Sequence, residues 1–253
     1  IDVPDRYKAP TPAVITFEKA IERNPYATSY LWGADFYNEV KKGYIEVIKS
    51  AEDGVIEGVK LLLTSSYLAT AIELVTNEYG RAEIGDLLAY DGSRYVTYTL
   101  TEVEVPDRYQ AVAPITFTFE GAEANRTYFV ISHEIENVLK RMTIDVTKRA
   151  GAEDGDVLHG AEFGIEYSAD GGVTWSALTA DAVPFESAQY SGDVFTTDAD
   201  GKLVVSGLYA NYMYRLTETK APEGYMLWST QIYLSAELEG TDNEITLERT
   251  VIN

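Results

Sequence analysis

Hydrophobic and polar residues alternate with period two along most of this chain. In YIEVIK (44–49) Ile45, Val47 and Lys49 share one face, and in MTIDVTK (142–148) Ile144, Val146 and Lys148 do the same. Successive side chains of a strand point to opposite faces, so these stretches predict half-buried strands. Similar runs, rich in Tyr, Thr, Val and Ile, recur along the chain and are broken roughly every 8–14 residues by Gly, Asp or Pro turns. No segment carries a helical period. The pattern predicts an all-β chain built from sandwiches.

The strands come in a repeat. NVLKRMTIDVTK from Asn137 aligns with NEVKKGYIEVIK from Asn38: asparagine, a basic pair, then Ile-acid-Val-x-Lys. After each lysine follow an acidic turn (AEDG at 51–54, AEDGD at 152–156), a hairpin (TNEYGRAEI, TDADGKLVV) and a box, YTLTEVEVPDRY (98–109) or YRLTETKAPEGY (214–225). Each unit closes on an alternating strand ending in asparagine, YFVISHEIEN at 128–137 and ITLERTVIN at 245–253. The repeat divides the chain into a unit at 41–139 and a unit at 140–253, while residues 1–40 match the last strands of a preceding, incomplete unit and end it on Asn38. A sequence that begins inside a unit predicts that those strands pair with something further, an upstream segment or another copy. Between Asn137 and Lys148 there is too little chain for a floppy tether, which predicts a semi-rigid rod.

Strand parity sends three polar residues per unit inward. Lys49 and Lys148 follow the apolar faces named above; Glu102 is in phase with Val96, Tyr98 and Leu100, and Glu218 with Tyr212, Tyr214 and Leu216. Asn137 is in phase with Phe129, Ile131 and Ile135, and Asn253 with Ile245, Leu247 and Val251, Arg249 being the one interruption. Taken singly, a lysine at a strand end snorkels to water and a terminal asparagine makes a turn. Here the three coincide twice, in the same order and phase. Burial favours the neutral form of a carboxyl or an amine, so a proton can pass from a buried lysine to a buried glutamate. The neutral amine is a nucleophile. The protonated glutamate polarises a nearby asparagine amide and then carries a proton to the departing ammonia, leaving a lysine–asparagine isopeptide bond. The reaction runs once per unit, so it is self-modification and not enzymatic turnover.

Composition narrows the remaining classes. A net charge of −21 with 45% hydrophobic residues predicts a folded, acidic chain that repels nucleic acid and anionic membranes. No run is long and apolar enough for membrane insertion, and IDVPDRYKAP has none of the parts of a signal peptide. With no cysteine there are neither disulfides nor thiolate metal sites, and His133 and His159 have no metal-spaced partners. DADG (198–201) lacks the later ligands of a calcium loop and reads as a hairpin turn. The expectation is no metal, no cofactor and no conventional catalytic centre.

LTETKAPEGY (216–225), IDVTK with LHGAEF (158–163), and TDADGKLVVSGL (197–208) resemble the glutamate box, first strand and central hairpin of the Cna-B or SpaA-like domains of Gram-positive surface adhesins and pilins. The resemblance covers 140–253 fully and 41–139 more loosely, because LLLT replaces the GAEF-like step and VPDRY replaces APEGY. It implies tandem Ig-like, transthyretin-like β-sandwiches in which Lys148 bonds to Asn253 under Glu218, and Lys49 to Asn137 under Glu102. Asn38 would be the bond partner of a lysine upstream. It implies an extracellular place on the cell surface or wall, and a structural stalk or pilin-shaft role whose partners are other domains or subunits of the same surface protein or pilus. The alternative is an adhesin module whose loop SADGGVTWSALTADAVPFESAQY (168–190) recognises a host matrix protein or glycan.

Overall fold

The computed structural model describes residues 7–8, 39–92, 94–124, 127–228 and 230–253. Most of the predicted N-terminal partial unit, Asn38 included, lies outside them; Tyr7 forms an antiparallel bridge with Val40. Every regular element among the described residues is a strand. The chain divides into two compact units, one built from residues up to Ser50 with Ile56–Val103 and Pro114–Ile135, the other from Ala51–Val55, Glu104–Ala113 and Glu136–Asn253.

In the first unit, one sheet runs in the order Arg81–Leu87, Lys42–Ala51, Tyr128–Asn137, Glu123–Ala124, and a second in the order Ile72–Val75, Lys60–Thr64, Tyr98–Val103, Ile115–Phe117. The period-two phase holds: Ile45, Val47 and Lys49 are buried on one strand, Leu61 and Leu63 on another, Tyr98 and Leu100 on a third. His133 lies in the inward phase of Tyr128–Asn137, its ring 4.6 Å from that of Phe117. Burial holds its pKa below the ordinary value. The unfolded chain therefore takes up a proton first as pH falls, and stability present above about pH 6.5 is lost below it. Urea midpoints of this unit measured from pH 7 to pH 5 should fall more steeply in the wild type than in His133→Gln; parallel slopes would remove the assignment.

In the second unit, Lys202–Tyr209, Arg141–Arg149 and Glu244–Ile252 form a three-stranded sheet. The first and last strands of this unit, Arg141–Arg149 and Glu244–Ile252, are parallel neighbours in register from Arg141↔Glu244 to Arg149↔Ile252. The facing sheet holds Tyr190–Ser191, Val194–Thr196, Glu162–Ser168, Met213–Lys220 and Ile232–Ser235, with Ser176–Ala177 paired to Glu162–Ser168. Both sheets feed one core, in which Ile144, Val146, Leu203 and Val251 meet Phe163, Ile165, Tyr214 and Leu216. This is a β-sandwich.

Candidate functional site

The second unit brings Lys148 and Glu218 together in its interior. Lys148 Nζ lies 3.0 Å from Glu218 Oε1, with the two side chains 0% and 2% exposed. Apart from this contact, neither atom has a hydrogen-bond partner among the described residues. The other carboxylate oxygen is committed, since Oε2 accepts from the Trp228 backbone N–H at 2.9 Å. Removing two charges from water is costly, and only mutual attraction and further hydrogen bonds repay it. A buried pair with open valences of this kind is suited to chemistry more than to stability.

Backbone contacts fix the lysine. Lys148 N donates to Gly201 O (2.8 Å), and Lys148 O accepts from Leu158 N (2.9 Å). Gly201 has φ +67°, and a Cβ there would stand 2.8 Å from Lys148 O. Only glycine permits that turn so close to the lysine backbone. Asp198 shapes the same turn, its Oδ1 accepting from Asp200 N and Lys202 N. DADG is therefore a turn that holds Lys148 in place.

Asn253 arrives through strand register. Lys148 pairs with Val251, so Asn253 lies two residues further along, on the same face, roughly 7 Å beyond in Cα terms. Its backbone is held at both ends, N–H to Arg149 O (2.9 Å) and C=O to Gly151 N (3.0 Å). Its side-chain Nδ2 donates to Met226 O at 3.0 Å, while the buried Oδ1 has no hydrogen-bond partner among the described residues. Arg249, in phase with Val251, nevertheless stays exposed. It lies on the outermost strand, and its guanidinium donates to Glu248 O. A long cation at a sheet edge reaches water without disturbing the phase.

The first unit repeats the lysine's part of these devices. Lys49 Nζ lies 3.3 Å from Glu102 Oε2, the side chains 0% and 2% exposed, and it also donates to Ile135 O at 3.4 Å. Lys49 N donates to Gly80 O (2.7 Å), and at Gly80 (φ +71°) a Cβ would stand 2.5 Å from Lys49 O. Asn137, the last residue of its strand and counted with the second unit, is 1% exposed. Its C=O accepts from Glu52 N, the third residue after the lysine, as that of Asn253 accepts from Gly151. The tyrosine that opens each box is buried, its hydroxyl donating to a backbone carbonyl at 3.0 Å: Tyr98 to Leu88, Tyr214 to Tyr209. Burial raises the pKa of both phenols.

Sequence parity does not show the loop that follows the second box. There Trp228 meets both charged partners, its N–H on Glu218 and its indole 5.9 Å from Lys148 Nζ, while the Met226 carbonyl holds Asn253. The only sequence signal is the apolar run YMLW directly after the APEG turn. Nor does sequence parity show that Lys140, of the basic pair before the first strand, is buried; it donates to Leu238 O (2.7 Å) and Gly240 O (2.8 Å). The aromatics of the 168–190 loop are engaged within their own unit. Trp175 donates to Gly172 O and lies under the Arg215 guanidinium, and Phe185 packs on Tyr190 and Phe195. Among the described residues no group of three or more His, Asp or Glu side chains is placed to hold a metal.

The chain thus carries an all-β sandwich with a buried lysine–glutamate pair beside an inward asparagine. Residues 143–250 match the SpaA domain model, a prealbumin-like fold domain. That segment is similar to the SpaA-type module that the glutamate box resembles. Among solved structures, the TIE protein of Bacillus anthracis is similar over 85% of this chain and 34% of its own, at 18% identity and a TM-score of 0.57. A streptococcal ancillary pilin matches over 85% of this chain and 65% of its own at 17% identity, with a TM-score of 0.32. The shaft pilin SpaA of Lactobacillus rhamnosus GG matches over 83% and 98% at 18% identity, with a TM-score of 0.31. No curated protein matches the sequence.

Proposed function

We propose that this chain is a stalk or shaft segment of a Gram-positive surface adhesin or pilin whose modules, 41–139 and 140–253, cross-link themselves. The bonds are Lys148–Asn253, promoted by Glu218, and Lys49–Asn137, promoted by Glu102. The observation that carries the reading is the buried Lys148–Glu218 contact of 3.0 Å beside a strand register that turns Asn253 to the same face.

Glu218 Oε1 takes a proton from Lys148. The freed amine attacks Asn253 Cγ, Glu218 passes that proton to Nδ2, the Cγ–Nδ2 bond breaks and Nδ2 leaves as ammonia, while the second proton that Nζ sheds on becoming an amide is taken up by Glu218. The new Nζ–Cγ amide is neutral, so the site no longer buries an ammonium. The parallel arrangement gives the bond a mechanical meaning. Tension entering at Arg141 runs along the first strand to Lys148, crosses the bond to Asn253 and leaves there, bypassing every strand between. The segment is a surface structure, and its associations are with other subunits or domains of the same assembly.

Intact mass under denaturing conditions tests this directly. The purified chain should be lighter than its encoded mass by two ammonia molecules; the full encoded mass would sink the cross-linking claim.

One observation favours the adhesin alternative. The 168–190 loop helps to line a recess of about 560 Å³ together with Arg141, Ser206 and Glu244, within the size range of ligand sites. Binding of the chain to a glycan or matrix-protein array, abolished by shortening that loop, would support recognition of a host molecule; no binding, or binding insensitive to the loop, would remove it.

A further inference from the structure

We infer that the loop at residues 221–228 is a positioning arm for the cross-linking reaction, its backbone orienting both the proton carrier and the leaving group. The inference rests on the cross-linking reading above. Its basis is that one short loop touches all three reacting side chains. The Trp228 N–H binds Glu218 Oε2, the Met226 carbonyl binds Asn253 Nδ2, and the Trp228 indole lies over Lys148 Nζ.

Each contact has a chemical consequence. With Oε2 occupied by a donor, Oε1, the oxygen facing Lys148, is the one left to take the proton. A carbonyl accepts only from the NH2 end of an amide, so Met226 fixes which way the Asn253 side chain faces. Oδ1 is thereby turned to the buried side, where it lacks a partner among the described residues and where a protonated carboxyl can donate to it as negative charge develops. Nδ2 is turned toward the loop. When Cγ–Nδ2 breaks, the ammonia that forms, carrying the proton from Lys148 by way of Glu218, is already hydrogen-bonded to Met226 O. Its exit is short, because the Met226 side chain is 88% exposed and Trp228 is 44% exposed. The turn that delivers the arm is the proline box itself: Tyr225 N donates to Pro222 O, with Gly224 at φ +86°. The same box that supplies the glutamate therefore also supplies the backbone that aims it.

Backbone groups are tested by changing backbone atoms. Cell-free synthesis of the full chain with the α-hydroxy analogue of tryptophan at position 228 replaces that N–H by an ester oxygen and keeps the indole. The α-hydroxy analogue of leucine at 227 turns the Met226 carbonyl into a weaker ester acceptor. Time-resolved intact mass then reads ammonia loss at the second module in each, with Asn137→Ala in the background to silence the first. About tenfold slower loss is expected at 228, since a hydrogen bond to a charged group is lost, and a smaller slowing at 227. The urea midpoint of the chain before it cross-links should stay near that of the parent in both esters, so that the slowing belongs to the reaction and not to the fold. A purely structural arm would lower that midpoint in step with the rate. Wild-type rates in both esters would overturn the positioning role while leaving the bond intact. Absence of ammonia loss in the unesterified chain would instead strike the cross-linking reading, and the inference with it.

Discussion

Glu218→Gln is expected to leave the chain with one ammonia more than the wild type and to lower the stability of the second module by about 4–5 kcal/mol or more. The closed loop from Lys148 to Asn253 spans about 105 residues, and closing a loop of that size restricts the unfolded chain by about that amount on the disulfide analogy. Glutamine keeps the side-chain volume and the acceptor for Trp228 N–H. It cannot take the lysine proton. The variant therefore also buries an ammonium that has lost its counter-charge, so its urea midpoint should drop further than that of Asn253→Ala, which removes the bond and keeps the ion pair. Mass spectrometry and urea titration of the three chains decide the matter. Equal midpoints for Glu218→Gln and Asn253→Ala would show that the ion pair contributes nothing beyond the bond.

Most of the fold was legible because burial on one face of a sheet imposes a period of two. Ile144, Val146 and Lys148 could be placed inward without knowing their partners, and all three are buried. The same parity placed Glu218 inward, since Tyr214 and Leu216 share its face. Strand pairing was less accessible. That Arg141–Arg149 and Glu244–Ile252 run parallel as neighbours is a long-range choice that no local pattern encodes. The loop contacts were closed to sequence reading for a different reason. Met226 O and Trp228 N belong to the backbone, and every residue but proline offers the same two groups. The sequence also assigned Arg249 to an inward phase from which its length and its edge position release it.

A comparable division separates the two sources of stability at Lys49 and Glu102. Glu102→Leu should cost the first module about 3–5 kcal/mol if Lys49 stays a free amine, because one member of a buried ion pair is left uncompensated. The double variant Lys49→Met with Glu102→Leu removes both charges and fills the site with apolar atoms of similar volume. In a module that never forms a bond, such a replacement is neutral or stabilising, so the double variant should match or exceed the wild type. In a module that cross-links Lys49 to Asn137, the wild type holds a closed loop of about 88 residues, and the double variant forfeits it. It should then remain about 4 kcal/mol less stable than the wild type, however well its core packs. Urea midpoints of the wild type, Glu102→Leu and the double variant therefore separate the energetics of a buried charge pair from those of a covalent bond, independently of any mass measurement. Recovery of full wild-type stability in the double variant would mean that Lys49 and Glu102 are an ion pair and nothing more.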